Sequence, residues 1–551
     1  SILLTSIKIL CYTNIKYNYF IIRGKMNTSK IAKKGLALLT IIATLTFSAC
    51  GSSSKTSTAS DNGGKPVSGG DLVMVRSSDS TSLLPTAVTD NVDIWVQELI
   101  YEPLLLPKAD GSGVEYAVAD KYQQESDGLT WTFHIRDGVK FSDGTPITSA
   151  DVKFSLEQAS KDDAPFSFTN SSIDSIETPS DDTVKIKTKQ PWSPLPSDLA
   201  IFSNSIVPKN YGGKSAEEFA KNPIGSGPFK FSSWDKGQQI KLVKNENYRV
   251  AGKPYLDSVT FKVVADDNTR TLQLKGGQAQ IDEFPPYSTV KTLSKSKDLT
   301  VKGFTSSRVD YLSFNTSKAP FDDVHLRRAV SYALDRSALN KAVLYGNGTP
   351  AESYLTPALW AHAKSKDIDG LITYDLGKAK KELSESKYAN GATLELLVAS
   401  GDANQSSMAQ IIQETLAKIG LTVKIKQLDS SAKTEAMKGA NYEMTFAYCT
   451  TDIVDPDEII RFVADYNGGV NAMYSQYDNK EISDLADKAA SVSNQDERQK
   501  YYTKIQQIWN DNAPSAALFY SPAMYVWTSN VHGFQVYPTG NYDLANTWMS
   551  K

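Results

Sequence analysis

The chain has 551 residues, of which 40% are hydrophobic and 22% charged. These are ordinary globular proportions and exclude both a disordered chain and a multi-span membrane protein. The length exceeds what one compact core holds, so two or more lobes are expected. The net charge of −3 hides an asymmetry: residues 1–49 carry seven Lys or Arg and no acid, which leaves 52 basic against 62 acidic residues from Cys50 onward, a charge of −10. A body of that sign is a poor binder of phosphate backbones, so no nucleic acid partner is expected.

Residues 26–34 are basic, residues 35–47 form a short apolar run, and Ser48 and Ala49 precede Cys50. This is the order of a secretory signal peptide over residues 26–49, and the run is too short for a comfortable membrane span. Cys50 after two small residues resembles a bacterial lipobox, with Phe47 where Leu is usual. The resemblance implies that the Cys50 thiol is acylated and anchors the mature chain in the membrane. Residues 1–25 precede the first Met and are expected not to be translated natively. Residues 50–70, rich in Ser, Gly and Thr, read as a flexible tether.

The folded body opens with a strand at Leu72–Val75 and a helix at Val92–Leu99. Residues 129–136 alternate strictly, with Trp131, Phe133 and Ile135 on one face, as in a half-buried strand. Asp137-Gly138 and Asp143-Gly144 mark turns, and Thr148 and Ser149 supply capping hydroxyls before a helix. Further on, residues 393–398 read as an apolar strand. A helix follows that aligns Met408, Ile411, Ile412, Thr415, Leu416 and Ile419 and stops at Gly420, and residues 421–425 alternate as another strand. Strand, helix and strand with short links predict a parallel βαβ unit. A second amphipathic helix is expected near residues 496–509, broken at Asn512-Ala513-Pro514, with a buried strand over 516–520. No short-period internal repeat is present. The pattern is that of a mixed α/β protein of more than one lobe.

Several segments resemble the extracytoplasmic solute-binding proteins of peptide-type (dipeptide, oligopeptide, nickel) ABC importers. The most specific is residues 129–155, where Trp131 and Phe133 are followed by Arg136-Asp137-Gly138, Phe141-Ser142-Asp143-Gly144 and Thr148-Ser149-Ala150-Asp151-Val152. Shorter matches are residues 224–231 with 245–248, residues 311–315 with 320–330, and residues 452–456. The resemblance implies a two-lobed, periplasmic-binding-protein-like α/β fold with hinge crossovers and a subdomain inserted in the first lobe. It places lobe I at 71–105, 200–308 and 522–551, the insert at 106–199, and lobe II at 309–521, with crossovers near Val309 and Tyr520. The signature residues themselves, Trp131, Phe133, Arg136, Gly138, Asp143 and Gly144, read as scaffold.

The same resemblance singles out Asp452. In the family an aspartate in the stretch W-x-x-D-x-x-D-P accepts the α-ammonium of a bound peptide, and here the stretch runs from Cys449 through Asp452 to Asp455-Pro456, with Cys449 in place of the tryptophan. A carboxylate in a water-poor cleft suits an ammonium, because charge-assisted bonds are roughly twice as strong as neutral ones. Asp455, beside Pro456, reads instead as a loop aspartate capping the next turn.

Enzyme chemistry finds no support. There is no G-x-S-x-G elbow, and no G-x-G-x-x-G follows a strand. S-x-x-K occurs at Ser288/Lys291, Ser294/Lys297 and Ser430/Lys433 without K-T-G. Cys449 has no local protease signature and reads as a small hydrophobe. His134, His325, His362 and His532 are scattered singly, and the three cysteines (Cys11, Cys50, Cys449) have no C-x-x-C spacing, so neither a direct metal site nor a cofactor is expected. The expectation is a monomeric, lipid-anchored receptor on the outer face of a bacterial cell membrane. It captures a small peptide and hands it to an ABC permease and ATPase complex. Within the family a chelated nickel complex, a glutathione-like compound or an oligosaccharide are the alternative ligands, and a lipoprotein hydrolase is the alternative outside it.

Overall fold

Residues 64–550 are described by a computed structural model; the signal peptide, Cys50 and most of the tether lie outside the described residues. The alternating segment near Trp131 forms the strand Thr130–Ile135, with Trp131, Phe133 and Ile135 buried. It joins Ala119–Gln124, Thr183–Thr188 and Ile173–Ser180 in a four-stranded antiparallel sheet. The helix Ser149–Ala159 packs on this sheet and begins with a capping box, in which Thr148 and Asp151 satisfy each other's backbone N–H groups.

In chain order this small sheet lies between strands of a larger one. Seven strands form the sheet of the first lobe, in the order Leu299–Phe304, Ala523–Thr528, Ile281–Glu283, Asp71–Arg76, Ser258–Val263, Gln239–Lys244 and Phe229–Asp235. Asp71–Arg76 is central and runs parallel to both neighbours, with Met74 opposite Phe261 and Ile281. The helix Asn91–Ile100 buries Ile94, Trp95, Val96, Leu99 and Ile100 in the core beside this sheet. Residues 224–229 pass so close to that helix that a Cβ on Gly225 would lie 2.2 Å from the Ile100 carbonyl, and one on Gly227 2.5 Å from that of Leu99. Only glycine permits that approach.

The second lobe is built on six strands, in the order Thr349–Pro350, Ser515–Tyr520, Val309–Phe314, Met444–Cys449, Thr393–Ala399 and Thr422–Leu428. The predicted βαβ unit is present: Thr393–Ala399 and Thr422–Leu428 pair in parallel register, Leu396 opposite Ile425, around the helix Ala403–Ala417. Asp402 caps that helix by accepting from the Gln405 N–H (2.9 Å), and Met408, Ile412 and Leu416 face the core. Each such fully buried side chain contributes roughly 1.5–3 kcal/mol. Gly420, at φ +92°, takes the left-handed turn that stops the chain before the next strand. The last long helix, Gln495–Asn512, ends at Ala513, also left-handed at φ +42°, and Pro514 prevents its continuation.

The two large sheets share two chain passages. Leu299–Phe304 leads into Val309–Phe314, and Ser515–Tyr520 leads back into Ala523–Thr528. These strands pair antiparallel in both sheets, Phe304 with Ala523 in the first and Val309 with Tyr520 in the second. Between the sheets the passages bind each other: Ser306 Oγ donates to the Ser521 carbonyl (2.6 Å) and Ser521 Oγ to Asp310 Oδ2 (2.7 Å). No helix among the described residues is long and apolar enough to cross a membrane.

Candidate functional site

Three strands of the second lobe, Met444–Cys449, Thr393–Ala399 and Thr422–Leu428, run parallel and end at one edge of their sheet. Ligands of open α/β sheets bind outside the carboxyl ends of such strands. Cys449 pairs with Val309 at the start of the crossover strand, so this edge is also where the two lobes meet.

The loop after Cys449 carries Asp452 and is fixed at both ends. The Thr451 N–H donates to Ser307 Oγ in the crossover (3.0 Å). Glu458 reaches back from the helix Asp457–Val463, and its Oε2 accepts from the N–H groups of Asp452 and Ile453 (3.1 Å each) and from the Thr451 hydroxyl. Ile453 inserts into the core of the first lobe, in the same cluster as Ile94 and Trp95. The backbone of Asp452 is therefore immobilised while its half-buried carboxylate accepts no hydrogen bond from the described residues. Burial pushes that carboxyl up from the ordinary range, and burial reinforced by the charge of Asp452 pushes Glu458 up as well.

Two further carboxylates face this loop. Glu98 lies on the helix Asn91–Ile100 of the first lobe. The residue is partly accessible, yet its Oε2 is enclosed and has no hydrogen-bond partner among the described residues. Its carboxyl is raised by burial and then by the charge of Asp452. Asp198 is buried at the end of the short helix Leu195–Asp198; it accepts from Trp192 Nε1–H (2.7 Å) and is raised by burial and then, beyond that bond, by the charges of Asp457, Asp455 and Glu458.

The neighbouring acids are different because arginines hold them. Asp455 makes a two-pronged pair with Arg498 (2.6 and 2.7 Å), whose Nη2 also donates to the Tyr502 hydroxyl. Asp457 and Asp465 both pair with Arg461. Asp455 Oδ1 also accepts from the Asp457 N–H (3.0 Å), the capping role its place beside Pro456 suggested. The sequence alone left Glu98 and Glu458 unnoticed. The available signal was Gln97-Glu98 inside the otherwise apolar stretch from Ile94 to Tyr101.

The remaining candidates are structural in character. Cys449 is 3% exposed and packs in a core cluster with Tyr311 and Phe462, so the family's tryptophan position points into the second lobe here. Arg136 Nε donates to the Ala117 carbonyl (3.1 Å), while Gly138 and Gly144 adopt φ +72° and +90° in their turns. His325 meets Glu382 (2.8 Å) and Glu385 (3.6 Å) on two helices of the second lobe, but Arg328 and Lys381 already pair with those glutamates. Trp95 stacks on Phe284 (5.3 Å), an exposed aromatic at the end of Ile281–Glu283, which gives the first lobe an apolar surface beside the helix that carries Glu98.

Comparison with known proteins gives this arrangement a family. Residues 113–471 match the middle region of the bacterial extracellular solute-binding proteins, family 5. The chain is 30% identical over 552 residues to the oligopeptide-binding protein AppA of Bacillus subtilis, covering 96% of this chain and 100% of that one. It is 30% identical over 479 residues to the probable D,D-dipeptide-binding periplasmic protein DdpA of Escherichia coli, 85% of this chain and 92% of the relative. Among solved structures, the periplasmic binding protein DppA of Helicobacter pylori in complex with the peptide STSA superposes with a TM-score of 0.73 at 29% identity, covering 88% of this chain and 99% of that one. The chain is therefore a member of the family 5 bacterial extracellular solute-binding proteins, the two-lobed substrate-binding components of peptide-type ABC importers.

Proposed function

We propose that the protein captures small peptides outside the membrane and delivers them to its permease and ATPase by lobe closure. The observation that carries this reading is Asp452: a half-buried carboxylate on an immobilised loop, without the arginine that holds its neighbour Asp455, at the edge where the lobes meet. That is a receptor for a ligand's ammonium. The relatives named for peptides support the class. Strand-like hydrogen bonds hold peptide backbone, while side chains occupy roomier, wetter pockets. Native mass spectrometry of the protein purified from its own cells tests the reading. Recovery of a free-amine peptide is the expected result, and recovery of a nickel complex or a sugar overturns it.

Closure follows the two passages at residues 305–308 and 521–522, where Ser306, Asp310 and Ser521 tie one passage to the other across the gap between sheets. A ligand that touches both lobes stabilises the closed state, and the transporter reads the difference. Small-angle scattering is expected to give a smaller radius of gyration with saturating peptide than without. An unchanged radius would count against closure as the signal.

Anchoring is assigned to Cys50, on the basic, apolar, small-residue, cysteine order of residues 26–50. Cys50→Ser is expected to release the protein to the soluble fraction or leave it unprocessed. Retention of the variant in the membrane with its acylation intact contradicts the assignment.

A further inference from the structure

Glu98 is a partly accessible acid, with one enclosed carboxylate oxygen, that the reading above does not use. In the second lobe the buried acids Asp455, Asp457 and Asp465 pair with Arg498 or Arg461, and Glu102, four residues after Glu98, pairs with Arg249 (2.9 Å). Among the described residues Glu98 has no such counter-ion, and its enclosed Oε2 has no hydrogen-bond partner. An enclosed polar atom left unpaired is costly, more so when charged, unless something supplies the missing donor. The helix that bears Glu98 packs through Ile94 and Trp95 in the same cluster as Ile453, the residue next to Asp452. The two carboxylates, neither with a counter-ion among the described residues, thus come from opposite lobes, on segments that share one core cluster. The electrostatics agree, since the charge of Asp452 acts on Glu98.

We propose that Glu98 is the second carboxylate of the ammonium site, so that a ligand's primary amine is held between one carboxylate from each lobe. This rests on the assignment of Asp452. A primary ammonium has three N–H donors, and one carboxylate does not use them all. Two carboxylates facing each other without a cation repel, whereas the same two around a cation attract it from both sides. The ligand's amine is then the group that makes bringing the lobes together favourable, and the site selects primary amines over acylated ones. Glu458, which binds the Asp452 loop, adds to the negative charge there, and Asp198 in turn feels the charge of Glu458. Both are acids, so neither supplies the missing positive charge.

The test is calorimetry on the full-length protein with a mixed pool of free-amine tripeptides and the same pool N-acetylated. Glu98→Gln is nearly isosteric and is expected to weaken the free-amine pool roughly 10- to 100-fold, the scale of one charge-assisted bond, and to leave the acetylated pool within a few-fold. Glu98→Asp, which keeps the charge on a shorter arm, is expected to retain more affinity than Glu98→Gln. If Asp452→Asn weakens free-amine peptides and Glu98→Gln does not, Glu98 is excluded while the peptide reading stands. If Glu98→Gln weakens both pools alike, its role is structural and the proposal fails. If the wild type binds neither pool, or neither substitution matters, the reading of Asp452 fails and the clamp fails with it.

Discussion

Asp452→Asn is expected to weaken free-amine peptides by roughly 30- to several-thousand-fold and N-acetylated peptides hardly at all. Asparagine keeps the shape and removes the charge. A desolvated ammonium then sits in the closed cleft without its partner, and truncations of such pairs cost roughly 2–5 kcal/mol. The loop does not collapse in the mutant, because it is held through backbone N–H groups bound to Glu458 and Ser307 and not through the Asp452 side chain. The pH dependence carries the same signature with two opposite signs. Burial raises the Asp452 carboxyl in the folded protein, so the empty protein takes up a proton there more readily than the unfolded chain does. That group's contribution to stability is present at low pH and is lost as pH rises through its elevated folded value. The empty wild type should therefore gain stability on acidification from neutrality toward the ordinary carboxylate range, while its affinity for free-amine peptides falls as the receptor is neutralised. Asp452→Asn should flatten both slopes. Calorimetry across that range, with thermal melts of the empty protein, reads the two effects separately. Free-amine binding equal to wild type in the mutant would mean that another group holds the amine or that the ligand is not a peptide.

Local structure was largely legible in the sequence. The alternation at residues 129–136, the helical spacing of Met408, Ile412 and Leu416, and the stop at Gly420 all appear as the elements they predicted, because each is decided by side-chain periodicity and by glycine's access to positive φ. The parallel βαβ unit followed from its short links. The seven-stranded sheet could not be read in this way. Its strand Ala523–Thr528 sits between Leu299–Phe304 and Ile281–Glu283, and no local signal records a partner more than 200 residues away. The site shows the same limit. D-x-x-D-P separated its two aspartates only through the resemblance and the place of Asp455 beside Pro456; the physical separation is Arg498, 43 residues further on, which claims Asp455 and leaves Asp452 open. Glu98 and Glu458 gave no motif at all, since their importance lies in what they face.

The second large effect falls on that other aspartate. Asp455→Asn is expected to cost roughly 3–5 kcal/mol of stability, the usual consequence of removing one partner from a buried ion pair. Both side chains of the Asp455–Arg498 pair are only 7% exposed, and the pair is bonded through two oxygens and two guanidinium nitrogens. Asparagine can accept at one of those positions but offers no charge, so the guanidinium stays desolvated with only the neutral asparagine oxygen and the Tyr502 hydroxyl to replace its carboxylate partner. The Asp457 N–H that Asp455 accepts still finds an oxygen in asparagine, so the start of the helix Asp457–Val463 survives and the loss is electrostatic. Removing both charges together, as Asp455→Asn with Arg498→Met, should recover part of the loss, because no uncompensated cation remains. Chemical denaturation of the second lobe's transition, followed for the single and double variants, measures this. Peptide affinity should stay within a few-fold of wild type in each variant that remains folded at the assay temperature. If Asp455→Asn abolishes binding of free-amine peptides while its denaturation midpoint is unchanged, the two aspartates have exchanged roles and Asp455 is the amine receptor.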